Sequence, residues 1–248
     1  MDPLLDRALE ALRAEHDTLA ALLPLSDDQL ATQSGAAEWT VAAALSHLGS
    51  GAEIGRRAIA SAAGEPVTDE TNEQIWARWN GSAPADQAAA FLEHDAAYLA
   101  TVADVPDSLV VDVGFLPEPV PLIVPVAMRL NEVANHSWDV RVGLDPSAEV
   151  LASSASVLVE LFEGPLSFLL GFAAKPDAVS SAVRLAVPDG GVVIDGGVSV
   201  VSSLPDPTAT LSGAPGATVR LLSGRLRDGD SVSGNVTPDE LRAVFPGY

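Results

Sequence analysis

Cysteine is absent from the 248-residue chain. Disulfides, cysteine-based zinc knots and a thiol nucleophile of the chain's own are therefore excluded. Any metal must be held by histidine and carboxylate, and any thiol chemistry must import its sulfur. Lysine is nearly absent too. Lys175 is the only lysine among 13 basic residues, and 34 acidic residues leave a formal net charge of −21. Nucleic acid and anionic membrane surfaces are poor partners for such a chain, because like charge repels and no basic stripe offsets it. Aromatics supply only 5% of residues within a hydrophobic content of 48%. The core is thus built mainly from alanine, valine and leucine, in a packed globular protein rather than a disordered one.

A long uninterrupted apolar run is also missing. The most apolar window, "SASVLVELFEGPLSFLLGFAA", is broken by Glu160, Glu163 and Pro165, whereas a membrane span needs about 20 nearly uninterrupted apolar residues. It reads as a buried helix. The opening "MDPLLDRALEALRAEHD" is acidic and amphipathic, unlike a signal or transit peptide. The expectation is a cytoplasmic protein, monomer or homodimer, without membrane or nucleic-acid partners. Neither an internal repeat nor a low-complexity tract stands out.

Helical periodicity governs the first two-thirds. Asp2-Pro3 opens a helix to about Leu23 with Leu5, Ala8, Leu12, Leu19 and Leu22 on one side. Thr40 suits an N-cap for a second helix, to about Ala62, with Trp39 placed to staple its first turn. A third helix runs from about Pro84 to Val102, with Phe91, Leu92, Tyr98 and Leu99 inward, and a fourth starts near Pro121 or Pro125. Between Gly64 and Ser82 the pattern reads as a long connection carrying Trp76 and Trp79, and loops of that length are often functional. One further helix is expected over about Ala148 to Ala173. After Lys175-Pro176 the period changes to two. "AVRLAVPDGGVVIDGGVSVVSS" reads as strand, Asp-Gly-Gly turn, strand, Gly-Gly, strand. "DPTATLSG" supplies a fourth strand, then a helix follows at about Ala214 to Ser223, and Thr237-Pro238 opens another. This predicts a helical domain over residues 1–175 and a small α+β domain over 176–248.

One stretch concentrates ligating side chains: "RLNEVANHSWDVRVG", Arg129 to Gly143. Helix residues four apart lie about 40° apart around the axis and about 6 Å along it. Glu132 and His136 thus share a face, with Asp139 one turn on. The same spacing also describes the solvated face of an ordinary amphipathic helix. His47 adds a second constraint. Ala43, Ala44, Gly51 and Ile54 surround it on its own helix, so it points at another helix and must find a partner. A carbonyl in the core would serve. Alternatively, its small neighbours leave room for an inner site of the kind that helix bundles assemble from facing helices. His47, Glu132 and His136 would make a two-histidine, one-carboxylate set, which with an open fourth position describes a catalytic zinc site. Asp139 or Asn135 could orient a ligating imidazole from behind. Asp95 falls on the apolar face of the third helix, where it requires a partner: the surroundings of the metal, or a buried donor. His94 reads as a boundary residue, His16 as exposed, and Trp76 and Trp79 as either a lid or simple packing.

"EWTVAAALSHL" with Trp39 and His47, followed by "NEVANHSWDV" with Glu132, His136 and Asp139, resembles the mycothiol-dependent maleylpyruvate isomerase family. The resemblance implies an all-α, DinB-like up-down four-helix bundle that binds a divalent metal through a histidine from the second helix and a Glu-x-x-x-His from the fourth. It also implies a small C-terminal α+β domain of sterol-carrier type, in which "ATVRLLSGRL" is similar to a recurring segment. Zinc is the first choice of metal, with iron, nickel and cobalt open to the same ligands.

The implied activity is that of an enzyme using mycothiol or a related low-molecular-weight thiol against an electrophilic small molecule. An open zinc position can deprotonate an external thiol outright. In the isomerase the thiolate adds to an electron-poor cis double bond, the new single bond rotates, and elimination gives the trans isomer. In the S-transferase variant the sulfur stays attached. By motif position Arg225 first and Arg220 second are candidate ligands for substrate carboxylates, which an arginine fork binds bidentately. The competing expectation is a binding module on the same fold that holds an apolar small molecule or a protein and has lost catalysis.

Overall fold

The computed structural model describes residues 2–247, which fall into two compact units divided between Ala148 and Glu149. The first unit is helical. α1 (Pro3–Ala20) starts where the Asp2 side chain accepts from the Leu4 amide and Pro3 takes the first helical position. It ends at Ala20, one turn before the expected Leu23, so Leu22 lies beyond the helix and is exposed rather than inward. α2 (Asp27–Ala31) is a single short helix with a Ser26/Gln29 capping box. α3 (Val41–Ala62) begins at Thr40, whose side chain accepts from the Ala43 amide, as its position before a helical run predicts.

α5 (Pro84–Asp104) and α6 (Ile123–Leu144) complete the four long helices. Pro125 stands in the first turn of α6, where a missing N–H has no intrahelical partner to lose. Among the long helices, α1 packs on α5 and α6, and α3 packs on α5 and α6, closing a four-helix bundle. Leu12, Leu45, Leu48, Ile59, Phe91 and Leu130 are among the side chains it buries completely. A short antiparallel ladder, β1 (Val110–Val111) with β2 (Val120–Pro121), lies between α5 and α6.

The expected loop from Gly64 to Ser82 is not a loop throughout. It contains α4 (Asn72–Asn80), capped reciprocally by Thr71 and Gln74, and α4 packs on α3. Trp79 is buried, and its indole donates to Glu53 Oε2 at 2.7 Å. Arg78 reaches the same glutamate at 2.6 Å. Trp79 thus packs, and of the two tryptophans only Trp76 stays exposed.

The second unit starts earlier than the expected boundary after residue 175. The single helix expected there is two, α7 (Ala152–Glu163) and α8 (Ser167–Ala173), set at 86° across the break. The cause is Gly164-Pro165: proline disfavours helical geometry at the residue before it. Both helices pack on the sheet's edge strand β5 (Val198–Val201), so they belong with the sheet rather than with the bundle. No single helix among the described residues is long and apolar enough to cross a membrane.

The sheet has the order β5-β4-β3-β6-β7. β3 (Val183–Val187) and β4 (Gly190–Ile194) form a hairpin, and Val187 pairs with Gly190, so the turn residues are Pro188 and Asp189 rather than Asp-Gly-Gly. β6 (Ala209–Ser212) runs parallel to β3. Strand β7 (Ser231–Gly234), pairing antiparallel with β6, was not expected. Its sequence, Ser-Val-Ser-Gly, carries almost no apolar alternation to announce it. α9 (Ala217–Leu222) and α10 (Pro238–Val244) complete the unit, the latter behind a Thr237/Glu240 capping box.

Candidate metal centre

α3 and α6 bring His47, Glu132 and His136 together with ligand-capable atoms all within 4.8 Å of one another. His47 Nε2 lies 3.0 Å from Glu132 Oε2, and His136 Nε2 lies 3.6 Å from the same oxygen. Donor atoms bound at about 2.1 Å to one tetrahedral ion stand about 3.4 Å apart. Two imidazole nitrogens and a carboxylate oxygen at these separations therefore fit a single divalent cation. The His136 side chain is 10% exposed, whereas His47 and Glu132 are 37% and 35% exposed. The set is closed behind His136 and open on the side of the other two.

Asp139 secures that closed side. It is fully buried, and its Oδ2 lies 2.8 Å from His136 Nδ1. A carboxylate there holds the ring proton on Nδ1 and leaves the Nε2 lone pair facing Glu132, the arrangement typical of metal-binding histidines. Asn135, the alternative, donates instead to the Asn131 carbonyl on its own helix. At Glu132, burial pushes the carboxyl up. The hydrogen bond with His47 and the nearby His136, His47 and Arg129 more than offset it, leaving the group below the ordinary glutamate range.

Trp39 covers both imidazoles. Its ring centroid lies 4.8 Å from that of His47 and 5.1 Å from that of His136. The tryptophan expected to staple α3 is thus also a wall of the site. Two cavities flank His47. One, of about 320 Å³, is lined by Trp39, Ala43, Ser50, Trp76 and Asn80. The other, of about 330 Å³, has largely apolar walls and includes Glu132, Arg129 and Tyr98. Trp76 borders both. A larger cavity of about 480 Å³, lined in part by Arg57, Asn72 and Asp112, contains none of the three candidate ligands.

Arg129 and Tyr98 were not singled out in the sequence as site residues. Asp95, which was, explains them. Its Oδ1 accepts from Arg129 Nη2 at 2.6 Å, and its Oδ2 lies 2.9 Å from His16 Nδ1. Of the two roles open to Asp95, the structure shows the buried donor. His16 is not exposed as expected, because Asp95 draws it in to 18% side-chain exposure. His94 is half-buried, with its ring 5.2 Å from Trp79 and its Nδ1 3.6 Å from Glu53.

The two C-terminal arginine candidates lie in the second unit. Arg220 is 1% exposed, and its two Nη atoms donate to the two oxygens of Asp230 at 2.6 and 3.0 Å. Burial pushes the Asp230 carboxyl up, but Arg220 and the Arg227 amide hold it below its ordinary range. Arg225 is half-buried and donates from Nη1 to the Ser223 carbonyl at 3.0 Å.

A metal-fitting site inside a four-helix bundle, followed by a small sheet-containing unit, defines a DinB-like class of protein. The family model described as the mycothiol maleylpyruvate isomerase N-terminal domain matches residues 12–141, a span containing every one of the site residues from Trp39 to Asp139. The chain belongs to that family. No curated protein matches it. Among solved structures, it is similar to the crystal structure of the mycothiol-dependent maleylpyruvate isomerase, at 18% identity over 98% of this chain and 97% of that one, with a TM-score of 0.66. A histidine-to-alanine mutant of that enzyme is similar at 17% identity, with a TM-score of 0.64. At these identities the likeness establishes the fold, over both units.

Proposed function

We propose that this chain is a metal-dependent enzyme that uses a low-molecular-weight thiol, mycothiol by kinship, against an electrophilic small molecule, in a maleylpyruvate-type cis-trans isomerisation or an S-transfer. The observation that carries the proposal is the convergence of His47, Glu132 and His136 within 4.8 Å, inside the span that the family model matches. Those three side chains would hold the metal, zinc being the first choice. A divalent cation there supplies the Lewis acidity that keeps a coordinated thiol in its conjugate-base form near neutral pH.

The chain's own residues have separable tasks. Asp139 keeps the His136 proton on Nδ1. Glu132, below its ordinary pKa, contributes a full negative charge at neutral pH. Trp39 shields the imidazoles from water on one side. The two cavities beside His47 give a thiol and an electrophile separate approaches to the same point. With no cysteine in the chain, the nucleophilic sulfur comes from the cosubstrate. Arg225 enters as a ligand for a substrate carboxylate on the resemblance alone. Arg220, with both Nη atoms on Asp230, is assigned to holding the second unit together.

Elemental analysis of the purified protein tests the proposal first: about one divalent metal per chain, lost in His47→Ala and His136→Ala while the helical circular dichroism persists. A thiol screen on the cobalt-substituted protein follows. Sulfur-to-metal charge-transfer absorption is expected with mycothiol and weakly with dithiothreitol. Full metal occupancy in both histidine variants, or a cobalt spectrum indifferent to every thiol, refutes the reading.

A further inference from the structure

Of the five large apolar side chains that the first unit exposes among the described residues, four stand at two adjoining cavities. Val67 and Val110 line the cavity of about 480 Å³, and Trp76 and Phe115 line the one of about 330 Å³ beside His47. Exposed apolar surface gathered in one place marks a binding site, whereas apolar residues scattered singly do not. The two cavities share Ile54, Ala58 and Val113 as walls, yet the larger contains none of the three candidate metal ligands. Its volume lies within the range of small-molecule sites. Nothing in the thiol chemistry proposed above occupies it.

Opposite charges stand on this lining without meeting. Arg57, on α3, is half-buried and held by neutral oxygens: Nη1 donates to the Glu70 carbonyl, and Nη2 donates to Asn72 Oδ1 at 2.7 Å. Those two bonds leave three of the five guanidinium N–H groups. They also leave the charge uncompensated, because Arg57 forms no ion pair among the described residues, in a chain with 34 acidic residues against 13 basic ones. Asp112 supplies the other charge. β1 packs on α3, so the loop that follows it brings Asp112 to the same cavity. Asp112 Oδ1 accepts from the Gly114 amide at 2.8 Å, a local turn that fixes the carboxylate. Its second oxygen is left for a ligand.

We propose that this cavity binds a zwitterion with an apolar body, an apolar amino acid or short peptide with both ends free, its carboxylate on Arg57 and its ammonium on Asp112. A singly charged molecule fits worse. An anion at Arg57 meets Asp112 on the same lining, and it must approach through the field of a chain with a net charge of −21. A cation at Asp112 meets Arg57. A dipolar molecule answers both charges and carries no net charge into that field. Ile54, Val67, Val110 and Val113 cover its body, and burial of apolar surface on both sides favours the contact. Neither the metal nor the thiol enters this assignment.

Calorimetric titration of the as-purified protein provides the test. L-leucine and L-leucyl-L-leucine probe the two lengths, each also in its N-acetylated and its C-amidated form. The free zwitterion of the length that fits should bind at least about tenfold more tightly than either capped form, because each cap removes one charge-assisted contact. Variants then assign the ends. In Arg57→Gln, amidation should cost nothing further. In Asp112→Asn, which keeps an acceptor for the Gly114 amide, acetylation should cost nothing further. Both variants should retain the helical circular dichroism of the parent, and the capped ligands give their answer on the parent protein alone. His47→Ala should bind the zwitterion as the parent does, since His47 is not on this lining. No binding at either length, capped forms that bind as tightly as the zwitterion, or a charge preference that survives in either variant overturns the proposal. So does loss of binding in His47→Ala, which would place the molecule at the candidate metal centre instead. Absence of metal from the purified protein refutes the thiol-dependent reading and leaves the ranking of zwitterion and capped forms intact.

Discussion

Among the described residues two arginines are buried, one in each unit, and they are used differently. Arg220 is held by carboxylates: both Nη atoms donate to Asp230, and Nη2 also lies 3.5 Å from Glu149 Oε2. Arg129 gives only Nη2 to Asp95, which also holds His16, while its Nε is unmet and a cavity opens beside it. The first arrangement closes a structure. The second leaves the guanidinium beside a cavity with one shielded nitrogen unmet. A buried arginine is therefore not informative by itself; the two differ in how many carboxylate contacts their Nη atoms make.

Substitution should separate the two. Arg220→Ala strands the Asp230 carboxylate in the interior, and breaking a buried pair typically costs about 3–5 kcal/mol. Urea unfolding should show that loss, and a change under about 1 kcal/mol would mean that the pair is solvated. Arg129→Met should cost less, about 1–3 kcal/mol, because Asp95 retains His16. If it destabilises as much as Arg220→Ala, Arg129 is structural too and the contrast collapses.

A smaller effect is expected behind the candidate metal site. Asp139→Asn preserves shape but weakens the hold on the His136 Nδ1 proton, and loss of such a partner lowers metal affinity about 10–100-fold. Competition with a chelator of known affinity would measure it.

The smallest effect is one of pH. The folded pKa of His16 is raised by its hydrogen bond to Asp95. Its contribution is thus complete below the ordinary histidine value and is lost as pH rises through the raised folded value. Asp95 is depressed: burial raises it, but Arg129 and His16 outweigh that. Its contribution is complete above the ordinary aspartate range and lost as pH falls through the folded value. Stability from this pair should peak between those limits and decline on the alkaline side. Midpoint urea concentrations at several pH values should show the decline in the parent and not in His16→Gln. The Arg220–Asp230 pair, lacking a histidine, should produce no alkaline decline.

What the sequence revealed and what it concealed follow from the range of the interactions. The Thr40 cap and the shared face of Glu132 and His136 are local, set within one helical turn, and could be read directly. His47 was legible from the small residues around it. Arg129 was not, because its burial depends on Asp95, on another helix, and an arginine three residues before Glu132 looks like any charge on a helix surface. The α4 helix was hidden by its length, although Thr71 and Gln74 carried the capping-box signal. The bend between α7 and α8 was announced by Gly164-Pro165 and outweighed by the apolar pattern on either side.

The short turn before α3 has one more consequence. The Gly35 amide donates to the Asp139 carbonyl at 2.8 Å, and a Cβ at Gly35 would stand 2.7 Å from Asp139 Oδ1. The turn that carries Trp39 is thereby fastened to the same residue that orients His136, and Trp39 in turn lies over both imidazoles. The acceptor is the main-chain carbonyl, so this tie survives a change of the Asp139 side chain, whereas a side chain at position 35 would collide with Asp139 Oδ1. The cover and the back wall of the candidate site are thus joined through a single backbone hydrogen bond, so Gly35→Ala is expected to disturb Trp39 and Asp139 at once.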